Sequence, residues 1–299
     1  MKKLTRDHLF RNYGDLSTLP DTPPLQVDLG EPFLIETVDT GDMLLLSEKD
    51  VDKGCGPMAG NPSTGPVYVD GVEAGDVIAV HIEELRVVGH TLIHIDDKSL
   101  LPQEAIAPRR DFVRIEGGVA GFEGGLTVPV RPMYGCFGVV PAGPSPEPWR
   151  HGGNMDVPDV AEGDIVHVRC ERDGAFFCCG DGHAIQGDGE VNGFSLEVSL
   201  DGRLRIERSP YQDLETLLIE TPSSFITVGI EHEFVDSVRS AQYSMAQFLA
   251  QTRGVGLLDA YQFASHVGDL RLGAVWPMWR PDCDIPIPAC LHLAKHHFA

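Results

Sequence analysis

The sequence predicts a mainly β fold: a two-sheet β-sandwich with a small C-terminal α/β portion. Three observations carry that expectation. Short apolar segments alternate with turn residues along most of the chain, a Gly-Asp turn leading into an apolar run recurs, and helical periodicity is concentrated near the C-terminus. The 33 glycines and 22 prolines are spread without a period, which favours many short strands over a helical bundle and excludes a collagen-like repeat.

The recurring turn comes first in Val38-Asp39-Thr40-Gly41-Asp42-Met43-Leu44-Leu45-Leu46, then in Val72–Ile82 and Val160–Cys170. The last two copies alternate apolar and polar residues at their ends, as half-buried strands do. Further strands are expected at Phe112–Ile115, Leu126–Val130, Cys136–Val140, Ala175–Cys178, Gly193–Ser199, Leu204–Glu207, Thr216–Ile219 and Phe225–Val228. Asp201-Gly202 reads as the hairpin turn between two of them. The four prolines of Pro141–Pro148 suggest a rigid surface loop running into a turn at Gly152-Gly153-Asn154.

Near the C-terminus Val238, Ala241, Met245, Phe248 and Leu249 fall at helical spacing, and Gly254 supplies a stop. A second helix from Leu257 to about His266 would put Leu257, Tyr261 and Ala264 on one packing face and end at Gly268. The stretch after Pro281 has no assignable pattern. These elements imply a β-sandwich catalytic region over 1–230, with 231–299 packed on it as part of one functional unit.

Composition narrows the function classes. At 299 residues the chain can bury a large core. A formal charge of −22 and a pI near 4.8 exclude nucleic acid and anionic membrane as expected partners, because an acidic surface repels both. The seven cysteines are odd in number, irregularly spaced and without a CxxC pair, so neither a secreted disulfide framework nor a zinc ribbon is indicated. Cys178 and Cys179 should face opposite sides of a strand. Met1–His8 lacks the apolar core of a signal peptide, and a cytoplasmic location is expected.

The most informative stretch is Cys179-Gly180-Asp181-Gly182-His183-Ala184-Ile185-Gln186-Gly187-Asp188-Gly189-Glu190. It follows the apolar Ala175–Cys178 run and sets acids, an imidazole and an amide among glycines. Glycine lets a backbone turn tightly and approach a ligand, while carboxylate and imidazole supply metal ligands and proton carriers. Three other places combine glycine, acid and amide: His151–Asp156, Asn61–Pro66 and Asp39. Asp156 lies between apolar Met155 and Val157, and a buried carboxylate requires a partner. Asn154 could instead occupy a positive-φ position. Asp76 and Asp164 read as turn residues, His81 and His167 as scaffold, and Ser63 and Thr64 as turn hydroxyls.

These motifs, in this order, resemble the acetamidase/formamidase family over most of the chain. Asn61–Pro66 with the following Val67–Asp76, His151–Asp156, Gly180–Glu190 and Val267-Gly268-Asp269-Leu270-Arg271 each have a counterpart in the family pattern. The chain departs at Met43-Leu44-Leu45-Leu46, where many members carry a polar segment with a glutamine.

The resemblance implies hydrolysis of a small linear amide to carboxylate and ammonia, on a sandwich-like fold, with a divalent metal in some members. By position, Asp39, Asp156 and His183 are the implied ligands, a set that suits Zn²⁺ with an open water position. Glu190 would carry the proton from water to the departing nitrogen, and Gln186 or Asn154 would donate to the developing oxyanion. Association of several copies into a homo-oligomer is expected, with no sequence feature setting the number.

Two other readings compete. One is a cysteine nucleophile at Cys55 or Cys136, although small buried free cysteines are common and neither residue lies in the matched motifs. The other is a non-catalytic sandwich module holding structural Ca²⁺ through Asp181, Asp188 and Glu190, against which His183 argues.

Overall fold

The computed structural model describes residues 1–10, 19–95, 100, 103–105, 109–142, 148–280 and 283–298. Three sheets are formed among them. The largest has nine strands in the order Lys2–Leu4, Pro32–Glu36, Ser199–Arg208, Val77–Val88, Ile165–Arg169, Leu217–Glu220, Ser224–Glu231, Ile287–Ala294 and Asp269–Leu272. The second runs Gly152–Asn154, Met133–Val139, Phe177–His183, Ser63–Asp70 and Leu9–Phe10, with Leu25–Asp28 pairing in parallel to Ser63–Asp70. A smaller four-stranded sheet is built from Thr91–Ile95, Arg109–Glu116, Val119–Gly121 and Thr127–Pro129.

The two larger sheets face each other across one hydrophobic core. Ile78, Val80, Leu204, Ile206, Ile219 and Val228 of the first sheet join Val67, Val69, Phe137 and Phe177 of the second in one buried cluster. Such side chains each contribute about 1.5–3 kcal/mol on burial, so this layer dominates the stability of the fold. The chain is therefore mainly β and sandwich-like, as expected, with the four-stranded sheet as an addition. Cys179 faces the central core while Cys178 packs with Cys136 and Val140, so the adjacent pair does split across the strand.

The helical expectation is met by Phe234–Arg253, which ends at Gly254 with φ 66°, and by Leu257–Val267. The first helix buries Ala241, Met245, Phe248 and Leu249 against Leu218, Phe225, Leu291 and Leu293 of the nine-stranded sheet. It lies so close that a Cβ on Gly229 would stand 2.1 Å from the Ser237 carbonyl oxygen, so only glycine fits there. The strands Asp269–Leu272 and Ile287–Ala294 complete the edge of the same sheet. Among the described residues no helix is long and apolar enough to cross a membrane.

Several local expectations are corrected. Met43–Leu46 forms no strand and leads into the 3₁₀ helix Glu48–Lys53. Asp201-Gly202 is no hairpin turn, because it lies within the strand Ser199–Arg208, paired on both sides with Pro32–Glu36 and Val77–Val88. Gly193–Val198 is irregular. Ser63 and Thr64 belong to a strand, Thr64 Oγ1 donating to the Glu36 carbonyl at 2.8 Å. In the second helix Ala260 and Ala264 are the buried residues, whereas Leu257 and Tyr261 are exposed. Most of the proline-rich loop, 143–147, lies outside the described residues.

Candidate active site

The strand Phe177–His183 does not stop where its glycines begin. It continues through Asp181 and His183, paired with Met133–Val139 on one side and Ser63–Asp70 on the other. Glycine at 180 and 182 permits this, since the second position is pressed against the Val198 carbonyl and the Leu200 side chain. Asp181 sits at φ 51° within this strand. Asp156 and Glu190 also hold positive φ, at 48° and 41°. Non-glycine residues pay for such a conformation, and it persists where surrounding contacts over-determine it, commonly at functional sites. Among the non-glycine residues of His151–Asp156, it is Asp156 and not Asn154 that holds a positive φ.

Two overlapping groups result. Asp156, His183 and Glu190 each bring a ligand atom within 4.8 Å of the others, and so do Asp181, His183 and Glu197. All five side chains are buried, from 1% exposed for Asp156 and His183 to 7% for Glu190. Among the described residues none of the four carboxylates pairs with a lysine or arginine; their positive neighbour is His183, 3.3 Å from Glu197 and 3.6 Å from Asp181. One Asp156 oxygen, Oδ1, is buried without a hydrogen-bond donor. Buried uncompensated carboxylates are costly, and these groups could hold a cation.

The electrostatics agree. Burial, reinforced by Glu190 and Asp181, pushes the Asp156 carboxyl well above the ordinary range. Burial raises Asp181 to about 6, with Glu197 adding to the rise, and raises Glu190 to about 7 against the pull of His183. Burial disfavours a charged His183, but Glu197 and Asp181 outweigh it and hold its pKa well above the usual value. Burial likewise opposes the charge on Glu197, which His183 more than offsets, so Glu197 is lowered.

The hydrogen bonds around His183 determine which nitrogen is free. Gln186 Nε2 donates to the Asp156 carbonyl at 2.5 Å, so its Oε1 must be the atom 2.8 Å from His183 Nδ1. Nδ1 is then the donor, and Nε2 is the nitrogen that faces Asp181 and Glu197. Asn154 is similarly committed: its Nδ2 donates to Asp156 Oδ2 at 3.0 Å, and its Oδ1 accepts from Asn61 Nδ2 at 2.7 Å. These amides hold site residues in place through the hydrogen bonds they make.

Glu190 has both oxygens engaged, Oε1 by the Ser195 hydroxyl at 3.0 Å and Oε2 by the Trp276 indole N–H at 3.0 Å. Asp39 is buried beside the cluster but belongs to neither group. Its Oδ1 accepts from the backbone N–H of Gly41 and Met43 at 3.0 and 2.7 Å. Burial raises its pKa to about 7, with Glu197 and Asp181 contributing. Asp188 is turned away from the cluster into an ion pair with Arg271.

Two acids were less visible in sequence. Glu197 was missed because Gly193–Ser199 reads as an alternating strand; a charge in an otherwise buried run, beside Leu196 and Val198, was the available signal. Asp181 enters the sequence reading as a ligand only through the Ca²⁺ module. Of the cysteines weighed as nucleophiles, Cys55 is exposed, and Cys136 is buried with its thiol 2.7 Å from Asn154 Oδ1.

The model of the family described as "Acetamidase/Formamidase family" matches residues 142–236. No curated protein matches the chain. Among solved structures, an acetamidase from Bacillus halodurans is similar at 25% identity and a TM-score of 0.86, covering 99% of this chain and 98% of that one. A recombinant predicted acetamidase/formamidase from the thermophile Thermoanaerobacter tengcongensis shares 26% identity at TM-score 0.86, covering 98% and 95%. An acetamidase from Yersinia enterocolitica shares 26% at TM-score 0.84, covering 100% and 93%.

Proposed function

We propose that this chain is a member of the acetamidase/formamidase family, whose model matches residues 142–236, and a metal-dependent amidase that hydrolyses a small linear amide to carboxylate and ammonia. The observation that carries the reading is the buried set of four carboxylates around one histidine whose tautomer is determined by Gln186. The donor set fits a divalent cation: an imidazole nitrogen with carboxylate oxygens suits Zn²⁺, and the orphaned Asp156 Oδ1 lacks the positive charge such an ion would bring. His183 Nε2 would hold it, with carboxylates drawn from Asp156, Asp181 and Glu197. Asp39, capped by two amides, is proposed as an electrostatic neighbour.

A divalent ion bound there would lower the pKa of its water to ~7 and would polarise the amide carbonyl. The chain's own residues do the rest. Glu190, oriented by Ser195 and Trp276, takes the proton from water as it adds to the amide carbon. It then returns that proton to the nitrogen as the carbon–nitrogen bond breaks, leaving carboxylate and ammonia. The near-complete burial of the cluster restricts it to small substrates and excludes bulk water, which strengthens each electrostatic contact.

The test is metal analysis of purified protein coupled to ammonia release from formamide, acetamide and longer amides. Turnover should disappear with chelator and return with Zn²⁺. A metal-replete protein that releases no ammonia from any short amide would overturn the proposal.

A further inference from the structure

One motif takes no part in this chemistry: Val267-Gly268-Asp269-Leu270-Arg271, which opens the edge strand Asp269–Leu272. Its arginine lies between the two segments that carry Asp156 and Glu190. Arg271 grips Asp188, two residues before Glu190, by a two-pronged pair: Nε to Oδ2 at 2.7 Å and Nη2 to Oδ1 at 2.8 Å. Its third nitrogen, Nη1, lies 3.6 Å from Oδ2 of Asp159, three residues after Asp156. Arg131 and His292 face the same Asp159 carboxylate at 3.5 and 3.7 Å, so basic side chains surround it at ion-pair rather than hydrogen-bonding distance.

The backbone beyond Arg271 repeats the pattern. Ala274 N–H donates to the Met155 carbonyl at 3.2 Å, next to Asp156. Gly189 N–H donates to Leu272 at 3.3 Å, and Val275 N–H donates back to Gly189 at 2.9 Å, next to Glu190. Trp276 then reaches Glu190 itself. Asp156 and Glu190 are also two of the positive-φ residues, which need outside contacts to hold them.

We propose that Arg271–Trp276 is a clasp that sets the spacing between Asp156 and Glu190, with Arg271 as its positioning residue. Arg271 touches neither carboxylate; it acts through Asp188 and Asp159. The guanidinium matters because its planar fork satisfies Asp188 with two bonds and still presents a third nitrogen to Asp159, which a lysine ammonium cannot reproduce. The effect on rate rests on the amidase reading above; the effect on spacing does not.

The test uses the full-length, metal-loaded protein and the variants Arg271→Met, Arg271→Lys and Asp188→Asn. Two readouts are taken: kcat and KM on an amide that the native protein cleaves, and hydrogen exchange of the 153–157 and 187–191 segments. Arg271→Met should lower kcat ~10-fold or more, as a sub-ångström misplacement does. KM should stay within about threefold, because ground-state binding is not removed. Exchange should quicken in both segments together. Arg271→Lys should recover part of kcat, and Arg271→Met/Asp188→Asn should be no worse than Arg271→Met, since the two side chains form one unit. Native kcat in Arg271→Met, faster exchange in 187–191 alone, or uniformly faster exchange across the chain would each overturn the clasp. If no amide is cleaved by the native protein, the amidase reading fails while the exchange comparison still decides the clasp.

Discussion

Gly135 offers the sharpest test of the site. It lies in the strand Met133–Val139, where the backbone accepts any residue, yet a Cβ there would stand 2.4 Å from Asp156 Oδ1 and 2.8 Å from Asp181 Oδ2. Ordinary contact begins at 3.4 Å, so Gly135→Ala requires Asp156 Oδ1 to retreat by 3.4 − 2.4 = 1.0 Å. Asp156 has little freedom to do so, because Asn154 holds its other oxygen and its N–H is bonded to the Gly135 carbonyl. Overpacking of this kind costs about 1–3 kcal/mol, and a displacement of ~1 Å at reacting groups costs ~10²-fold in rate. The expected result is a kcat for acetamide lowered ~100-fold, reduced metal content, and a melting temperature lower by a few degrees. Gly121→Ala, which meets no atom within 4 Å, serves as the control and should behave as the native protein. A Gly135→Ala variant with full metal content and kcat within about threefold of native would refute the assignment of Asp156 and Asp181 to the site.

Three further outcomes are expected. Glu190→Gln keeps shape but cannot take a proton, so kcat should fall by ~10²–10⁴ with folding and metal content intact; near-native turnover would make Glu190 structural only. Glu197→Gln removes the carboxylate 3.3 Å from His183 and should weaken metal affinity ~10–100-fold, read by competition with a chromogenic chelator. Asp164 supplies a pH test outside the two groups of acids around His183. Burial raises its pKa from 3.8 to about 7, with Arg131 opposing and Asp159 adding to the rise. The folded state keeps this proton where the unfolded chain has lost it, so the contribution is fully present below about pH 4 and is lost as pH rises toward 7. Asp164→Asn should therefore raise the melting temperature at about pH 8 and leave it unchanged near pH 3.5; equal gains at both would contradict the shift.

Much of the fold was legible because it is written in local periodicity. The alternation in Val77–Ile82 and Ile165–Cys170, and the spacing of Ala241, Met245 and Phe248, each reflect one face turned to a core. Where local pattern and long-range pairing conflicted, pairing won. Asp201-Gly202 has the composition of a turn, yet it is drawn into the strand Ser199–Arg208 by neighbours on both sides. The second helix has apolar residues on several faces, and only the packing decided that Ala260 and Ala264 are buried.

The site divides in the same way. The sequence by itself determined which chemical groups are available: Asp156, His183 and Glu190 stand in glycine-rich motifs whose composition marks them as ligands and proton carriers. Only the tertiary structure decided which of them meet. The bridge between His183 and Glu197, the φ of 51° at Asp181, and the contacts of Gly135 with both aspartates depend on separate segments being brought together. The physical reason is that a residue's type and spacing are local properties. Burial, charge compensation and ligand geometry belong to the packed assembly, and no single segment of the chain contains them.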